Sequence, residues 1–160
     1  MARTPATAAA AGMLSALYAE AKPDAIALFD EAGTRSFGAL HAMNLFLKRP
    51  DLFGGVISMS GVYDLSEYTK GFFDDQVYFN SPIHYIPNLE DHGILERHRA
   101  GKIVIATGSG SYEDPEANRR FSQVLHDKSI PHELDVWGDD IHHDWPTWRR
   151  MLPHFIETRF

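Results

Sequence analysis

Residues 34–42 read Thr34-Arg35-Ser36-Phe37-Gly38-Ala39-Leu40-His41-Ala42, and a run of apolar residues follows them. The pattern is typical of a nucleophile elbow, the sharp strand-to-helix turn that lifts a serine Oγ above a sheet. Such a turn requires small residues two places before and two places after the serine, because the strand and the helix pass close together there. Gly38 is the small residue two places after the serine. Two places before it stands Thr34, which is larger than this position prefers, and Gly33 lies one residue too early. Ser36 is therefore the candidate nucleophile, with a helix N-cap as its alternative role.

Apolar runs on both sides of this turn predict the strands. Residues 25–29 form a short apolar run that predicts a strand before the turn. Three further strands are predicted at residues 55–61, 102–108 and 130–137, where β-branched and other apolar residues are bounded by glycine, proline or polar residues.

The helices are predicted between these strands. Apolar residues wrap most of the circumference over residues 37–48, which predicts a helix buried on several sides. Further helices are predicted from Pro115 and from Pro146, and Pro153 is expected to kink or split the last one. Residues 62–100 lack a clean period, which predicts a lid, a binding loop or a set of short helices.

Strands and helices thus alternate along the chain. This order predicts an α/β fold, a mainly parallel sheet of about four strands flanked by helices. The length of 160 residues fits one domain, which we place at residues 25–160 after an N-terminal helical segment, residues 1–24. The alternative for that segment is a secretory signal peptide, since Ala19-Glu20-Ala21 resembles a cleavage site.

Charge and composition exclude several function classes. The formal net charge is −7 and no basic cluster exceeds two adjacent arginines, so we expect no nucleic-acid partner. No apolar run approaches the length of about 20 residues that a membrane span needs, and we expect no membrane partner. The chain has no cysteine, which excludes disulfides and thiolate chemistry and favours a cytoplasmic location.

Reactive side chains are expected at the carboxyl ends of the parallel strands. There the chain supplies a serine, then an acid, then a histidine, which is the order of the α/β-hydrolase triad. Asp114 and Glu113 are the two candidates for the acid, and Asp114 is also explained as the N-cap of the helix that starts at Pro115. His143 is the candidate base, and His142 competes with it because adjacent side chains point in different directions.

A metal site is the alternative use of the loop at residues 139–144. That loop contains Asp139, Asp140, His142, His143 and Asp144. Ligands spaced so densely on one short loop give poor tetrahedral geometry, so we expect neither a metal nor another cofactor. His41, on the helix after the turn, is interpreted as a packed or hydrogen-bonded histidine.

Several separate motifs carry a family resemblance. They are Ser36-Phe37-Gly38-Ala39-Leu40-His41-Ala42-Met43-Asn44, Arg49-Pro50-Asp51-Leu52-Phe53-Gly54-Gly55-Val56-Ile57, Ser60-Gly61-Val62-Tyr63-Asp64-Leu65, Val77-Tyr78-Phe79-Asn80-Ser81-Pro82, Asn118-Arg119-Arg120 and His143-Asp144-Trp145-Pro146-Thr147-Trp148-Arg149-Arg150-Met151-Leu152. In this order they resemble the putative esterase family of α/β-hydrolases, which includes esterase-D-like and feruloyl-esterase-like enzymes. The resemblance covers about residues 34–155.

The resemblance implies hydrolysis of a small carboxylic ester. Ser36 would attack the carbonyl, His143 would take and return the proton, and Asp114 or Glu113 would orient the imidazole. The backbone N–H of Phe37 would be one oxyanion donor. The aromatic residues suggest an apolar pocket, with Tyr63 and Trp145 as candidate lining residues.

The resemblance is to the C-terminal half of the family's fold, because family members place four strands before the turn. We therefore expect a truncated α/β-hydrolase fold in which the strand at residues 25–29 has an open edge. Proteins cover or pair such edges, so we expect the N-terminal helix to cover it or two chains to meet there as a homodimer or another homo-oligomer. A catalytically inactive remnant that acts as an interaction module, with the aromatic residues 62–85 as its surface, is the alternative to an enzyme.

Overall fold

The structure, a computed structural model, describes residues 25–27 and 37–160. Four strands form one sheet in the order β1-β2-β3-β4, and all neighbouring pairs are parallel. The strands are β1 (Ala25–Ala27), β2 (Phe53–Met59), β3 (Lys102–Thr107) and β4 (Glu133–Val136). The predicted parallel sheet of about four strands is therefore confirmed. The predicted N-terminal helix and Ser36 lie outside the described residues.

Six α-helices accompany the sheet in the described part of the chain. They are α1 (Phe37–Lys48), α2 (Asp75–Asn80), α3 (Pro82–Tyr85), α4 (His92–Ala100), α5 (Pro115–Asp127) and α6 (Trp145–Arg159), and a 3₁₀ turn spans Ile86–Asn88. The bounds of α1 are those predicted from its apolar pattern. The irregular residues 62–100 contain α2, α3, the 3₁₀ turn and α4, so the expectation of short helices is confirmed for most of that segment.

α6 runs through Pro153 without interruption, so of the two predicted effects, a kink or a split, the split is wrong. Pro153 lies on the exposed face of α6, where water can satisfy the carbonyl that proline leaves unpaired. Trp148 and Met151 before it and Phe155 after it are buried against the sheet. Burial of apolar side chains on both sides of Pro153 holds the two halves of the helix on one surface.

Two strands differ in their bounds from the prediction. β2 begins at Phe53, two residues early, because Phe53 pairs with Ala25 on β1. It ends at Met59, since the next residue, Ser60, has a left-handed backbone with φ of 56°. β4 is shorter than predicted and covers only four residues.

The hydrophobic core lies on both faces of the sheet. Alternate residues of a strand point to opposite faces, so Val56 and Ile103 pack with α1 and α5, whereas Ile57 and Val104 pack with α6. This places helices on both faces, as the alternating order predicted. Among the described strands β1 lies at the edge of the sheet, and its predicted cover, the N-terminal helix or a second chain, stays a prediction.

His98 is fully buried between α1 and α4. Its Nε2 lies 2.8 Å from the carbonyl oxygen of Leu47, so the ring donates there. Its Nδ1 has no hydrogen-bond partner among the described residues. Burial lowers the pKa of His98, and the hydrogen bond to Leu47 opposes this shift only in part. A second proton on the ring would have no acceptor, so the folded state holds His98 neutral.

The free energy of unfolding is therefore expected to decrease as the pH falls below about 6.5, the ordinary pKa of histidine. The contribution of His98 is fully present above that pH, and below it the unfolded chain takes up a proton that the folded chain does not. Urea unfolding between pH 8 and pH 5 measures the slope. His98→Gln keeps an N–H for Leu47 and is expected to flatten the slope, whereas His126→Gln, at an exposed position, is the control and keeps it. Equal slopes for all three proteins would contradict this explanation.

Candidate active site

Three loops meet at the carboxyl edge of the sheet. They follow β2 from Ser60, β3 from Gly108 and β4 from Trp137. The last two lie in direct contact, since a Cβ on Gly108 would come within 2.2 Å of the carbonyl oxygen of Ile141. A Cβ on Gly110 would likewise come within 2.4 Å of His142 Nδ1. These two glycines let the loop after β4 approach the loop after β3.

The approach brings an acid and a histidine together. Glu113 follows β3 and His143 follows β4, and the Nδ1 of His143 lies 3.6 Å from Oε1 of Glu113. Both side chains are buried, with 4% of the His143 side chain and none of the Glu113 side chain exposed. A separation of 3.6 Å is longer than a hydrogen bond, although hydrogen bonds between catalytic groups are often this long in structures without substrate.

Two hydroxyl groups hold the Glu113 carboxylate from the sheet side. Ser60 Oγ donates to Oε1 at 2.7 Å, and Thr107 Oγ1 donates to Oε2 at 2.8 Å. Burial acts to raise the pKa of Glu113, but His143 and the two hydroxyl groups outweigh it, so the pKa lies below its ordinary value. The carboxylate is therefore kept ionised in a buried position.

The imidazole of His143 is fixed on its other sides. The indole of Trp148 meets it edge-on, with ring centroids 5.0 Å apart and planes at 86°. The backbone N–H of His143 donates to the carbonyl oxygen of Ser111 at 3.1 Å. The Nε2 of His143 is buried and has no hydrogen-bond partner among the described residues. Nδ1 of the ring thus faces the Glu113 carboxylate, and Nε2 can form a hydrogen bond with a group outside the described residues.

A depression open to solvent borders His143. Its lining includes Ser60 and Tyr63 after β2, Tyr112 after β3, and Arg120 on α5. Arg120 pairs there with Glu67 at 3.2 Å. His143 and these residues therefore share one surface depression.

The sequence matches the protein family described as putative esterase over residues 32–157. The chain belongs to the putative esterase family. The predicted resemblance is therefore confirmed, and it extends slightly beyond the residues on which it was based.

Solved structures with a similar fold include known hydrolases. A ferulic acid esterase is 21% identical, with a TM-score of 0.60, and the match covers 74% of this chain and 46% of that one. The S-formylglutathione hydrolase FrmB of Staphylococcus aureus is 18% identical, with a TM-score of 0.52, over 77% and 47% of the two chains. The fluorophosphonate-binding serine hydrolase FphF of Staphylococcus aureus is 19% identical, with a TM-score of 0.52, over 77% and 51%.

This esterase-family chain thus spans about half the length of these solved hydrolases, and at these identities the likeness shows the fold alone. The predicted α/β-hydrolase fold is confirmed for the part of these hydrolases that the chain covers. A comparison with curated proteins found no match.

The structure separates the two candidates for the acid and the two for the base. Asp114 caps α5 by accepting the backbone N–H of Ala117 at 2.9 Å, whereas Glu113 faces His143. His142 is exposed, and its Nδ1 accepts the backbone N–H of Ser111 at 2.9 Å. Glu113 and His143 are therefore the pair that the fold of this esterase-family chain brings together.

The other predicted site residues have different environments. Phe37 is the first residue of α1, so its backbone N–H has no acceptor within the helix. The ring of Tyr63 is buried and stacked on Phe121, its hydroxyl group is 2.7 Å from Ser58 Oγ, and the residue is among those that line the depression. Trp145 is half-exposed beside Trp148 and is not among the residues that line the depression.

Sequence reasoning gave no role to three residues that hold the acid and the base. Ser60 and Thr107 fix Glu113, and Trp148 packs on His143. Ser60 and Trp148 lie in two of the motifs that carry the resemblance, and the further signal for Ser60 and Thr107 was their position, since Ser60 directly follows β2 and Thr107 ends β3. Serine and threonine are too common at strand ends for this signal to select them.

The metal-binding interpretation has no geometric support within residues 37–160. No three histidine, aspartate or glutamate side chains among the described residues converge in a way that could hold a metal ion. In the same part of the chain, no helix has the length and apolar character that crossing a membrane requires.

Proposed function

We propose that this chain hydrolyses small carboxylic esters with Ser36, His143 and Glu113. The observation that carries the proposal is the buried pair of His143 and Glu113, in which Nδ1 faces the acid and Nε2 is without a partner among the described residues. A carboxylate on Nδ1 favours the tautomer with a proton on Nδ1, which leaves Nε2 free to accept one.

The nucleophile in this proposal is Ser36. It directly precedes α1 in the chain, where a nucleophile elbow places its serine, and β1 precedes it in the sequence. α1 packs against β2, where Ser58 Oγ donates to the carbonyl oxygen of Ala39 at 3.2 Å. The helix that follows Ser36 in the chain is therefore anchored to the sheet whose strands β3 and β4 precede Glu113 and His143.

The reaction proceeds in two steps, which are the acylation of Ser36 and the hydrolysis of the acyl-enzyme. Ser36 Oγ attacks the ester carbonyl as Nε2 of His143 takes its proton, and the backbone N–H of Phe37 donates to the developing oxyanion. The C–O bond to the alcohol breaks, and the alcohol leaves with the proton from His143. Water then attacks the acyl group with His143 again as base, which releases the carboxylic acid and restores Ser36. Glu113 keeps its charge and holds the imidazole throughout.

A burst assay with 4-nitrophenyl acetate tests the nucleophile. Wild type is expected to release about one nitrophenol per chain in the burst that marks an acyl-enzyme, and Ser36→Ala none. Equal bursts for the two proteins would remove Ser36 from the proposal.

Labelling with a fluorophosphonate gives an independent assignment of the nucleophile. Trypsin cuts after Arg35 and after Lys48, and the peptide of residues 36–48 contains Ser36 as its single hydroxyl side chain. The added mass is expected on this peptide. A label on any other peptide would identify a different nucleophile.

An inactive interaction module is the second candidate function. The exposed aromatic side chains Phe72, Phe73 and Phe79 favour it, because they offer apolar area for contact with another chain. In this case the protein gives no burst and no label and is a homodimer or larger assembly by light scattering. A monomer that gives the burst contradicts this candidate.

A further inference from the structure

We propose that Ser60 is a positioning residue for this reaction, because its hydroxyl group fixes the Glu113 carboxylate and thereby the orientation of His143. The inference rests on the proposed function of Glu113 and His143. Ser60 does not touch the reacting atoms in this proposal and acts through Glu113. Its hydroxyl group binds the oxygen of Glu113 that faces His143 Nδ1, whereas a nucleophile would have to face Nε2.

The hydrogen-bond partners of Ser60 fix the direction in which its hydroxyl group donates. The indole Nε1 of Trp148 lies 3.2 Å from Ser60 Oγ and can only donate. The ionised Glu113 carboxylate can only accept. The Ser60 proton therefore points to Oε1 of Glu113, the same oxygen that faces His143 Nδ1.

Trp148 connects the two ends of this arrangement. Its N–H binds Ser60, and its ring packs edge-on against His143. Ser60, Glu113, His143 and Trp148 thus form a closed set of contacts, in which a movement of the carboxylate is resisted by Ser60 and a movement of the imidazole by Trp148. Removing the Ser60 hydroxyl group opens this set at the carboxylate.

The backbone conformation of Ser60 independently favours a functional role for its side chain. Its φ of 56° is in the left-handed region, which glycine adopts without strain and serine does not. Tyr112 has φ of 65°, so one residue with a left-handed backbone binds the Glu113 carboxylate and another directly precedes Glu113 in the chain. Strain of this kind collects at functional sites. A serine at position 60 therefore carries a backbone cost that its buried hydroxyl group must offset.

Two variants of the full chain separate the hydroxyl group from the strain. Ser60→Gly removes both, and Ser60→Ala removes the hydroxyl group and keeps the strain. Both are expected to lower kcat for 4-nitrophenyl acetate about 10-fold with KM unchanged, in line with losing one hydrogen bond to a charged group. Ser60→Gly is expected to unfold at a higher temperature than Ser60→Ala. The control Ser109→Ala removes a hydroxyl group bound to Asp139 at the same edge of the sheet and keeps wild-type kcat.

A titration that needs no catalysis completes the test. With ¹³C-labelled glutamate, the Glu113 carboxyl is expected to titrate at higher pH in Ser60→Gly than in wild type, because one donor to the charged form is gone. Wild-type kcat in Ser60→Gly, or an unchanged titration of Glu113, would overturn the role of Ser60. A wild type without a burst would instead overturn the proposed function, and the titration then still decides whether Ser60 holds the acid.

Discussion

Replacing Glu113 with Gln is expected to lower kcat/KM for 4-nitrophenyl acetate about 10³–10⁴-fold without unfolding the protein. An amide that turns its NH₂ toward His143 favours the tautomer with a proton on Nε2, and this nitrogen can then no longer accept the proton of Ser36. Gln has the shape of Glu, Thr107 can still donate to its carbonyl oxygen, and Ser60 Oγ has a second lone pair that can accept its N–H beside the N–H of Trp148. The loss is therefore expected in the rate, with a Tm close to that of wild type.

Asp114→Asn is the matched variant for this prediction. Both changes replace a carboxylate with an amide, at adjacent positions after β3. Asn is about as good an N-cap as Asp, so α5 is expected to keep its start and kcat/KM is expected to change less than a few-fold. A larger loss in Asp114→Asn than in Glu113→Gln would reverse the assignment of the acid.

Replacing Phe121 with Ala is expected to destabilise the protein by about 3–5 kcal/mol. Phe121 is fully buried on α5 and stacks on Tyr63, with ring centroids 4.2 Å apart. The change removes the transfer free energy of the ring, leaves a cavity, and takes away a stacking contact worth about 0.5–1.5 kcal/mol. Urea unfolding at pH 8 measures the difference.

Phe79→Ala is the control for this second prediction. Phe79 is exposed on α2, and surface substitutions of this kind usually change stability by less than about 0.5 kcal/mol. If Phe121→Ala lowers the free energy of unfolding no more than Phe79→Ala does, the packing of α5 on the sheet described above is contradicted. A midpoint that moves with an unchanged m value would show that Phe121→Ala changes stability alone.

The fold could be predicted from sequence wherever one physical signal dominated. Apolar residues around α1 and a proline at its end set both of its bounds, and Asp114-Pro115 set the start of α5. The bounds of β2 could not be read in this way, because they depend on pairing with β1 and on the left-handed backbone of Ser60. Pro153 does not split α6, since burial on the sheet outweighs the one hydrogen bond that proline removes.

The candidate site shows the same division. Chain order and spacing identified Glu113 and Asp114 as candidates for the acid and His142 and His143 as candidates for the base. They could not decide between the two members of either pair. The choice depends on a capping hydrogen bond for Asp114 and on a backbone N–H for His142, which exist only once the loops are folded. The contact of Ser60 with Glu113 joins residues 53 positions apart, and no local pattern marks it.

The position of β4 predicts how the proposed activity would be lost on heating or in denaturant. β4 is four residues long and only half-buried along its length, and short elements with little buried area are the first to open locally. It also lies at the opposite edge of the sheet from β1 among the described strands. When β4 detaches from β3, the loop after it carries His143 away from Glu113, while the core between α1, α5 and the sheet stays folded. We therefore expect inactivation by heat or denaturant to be a local event that precedes global unfolding and reverses when β4 pairs again.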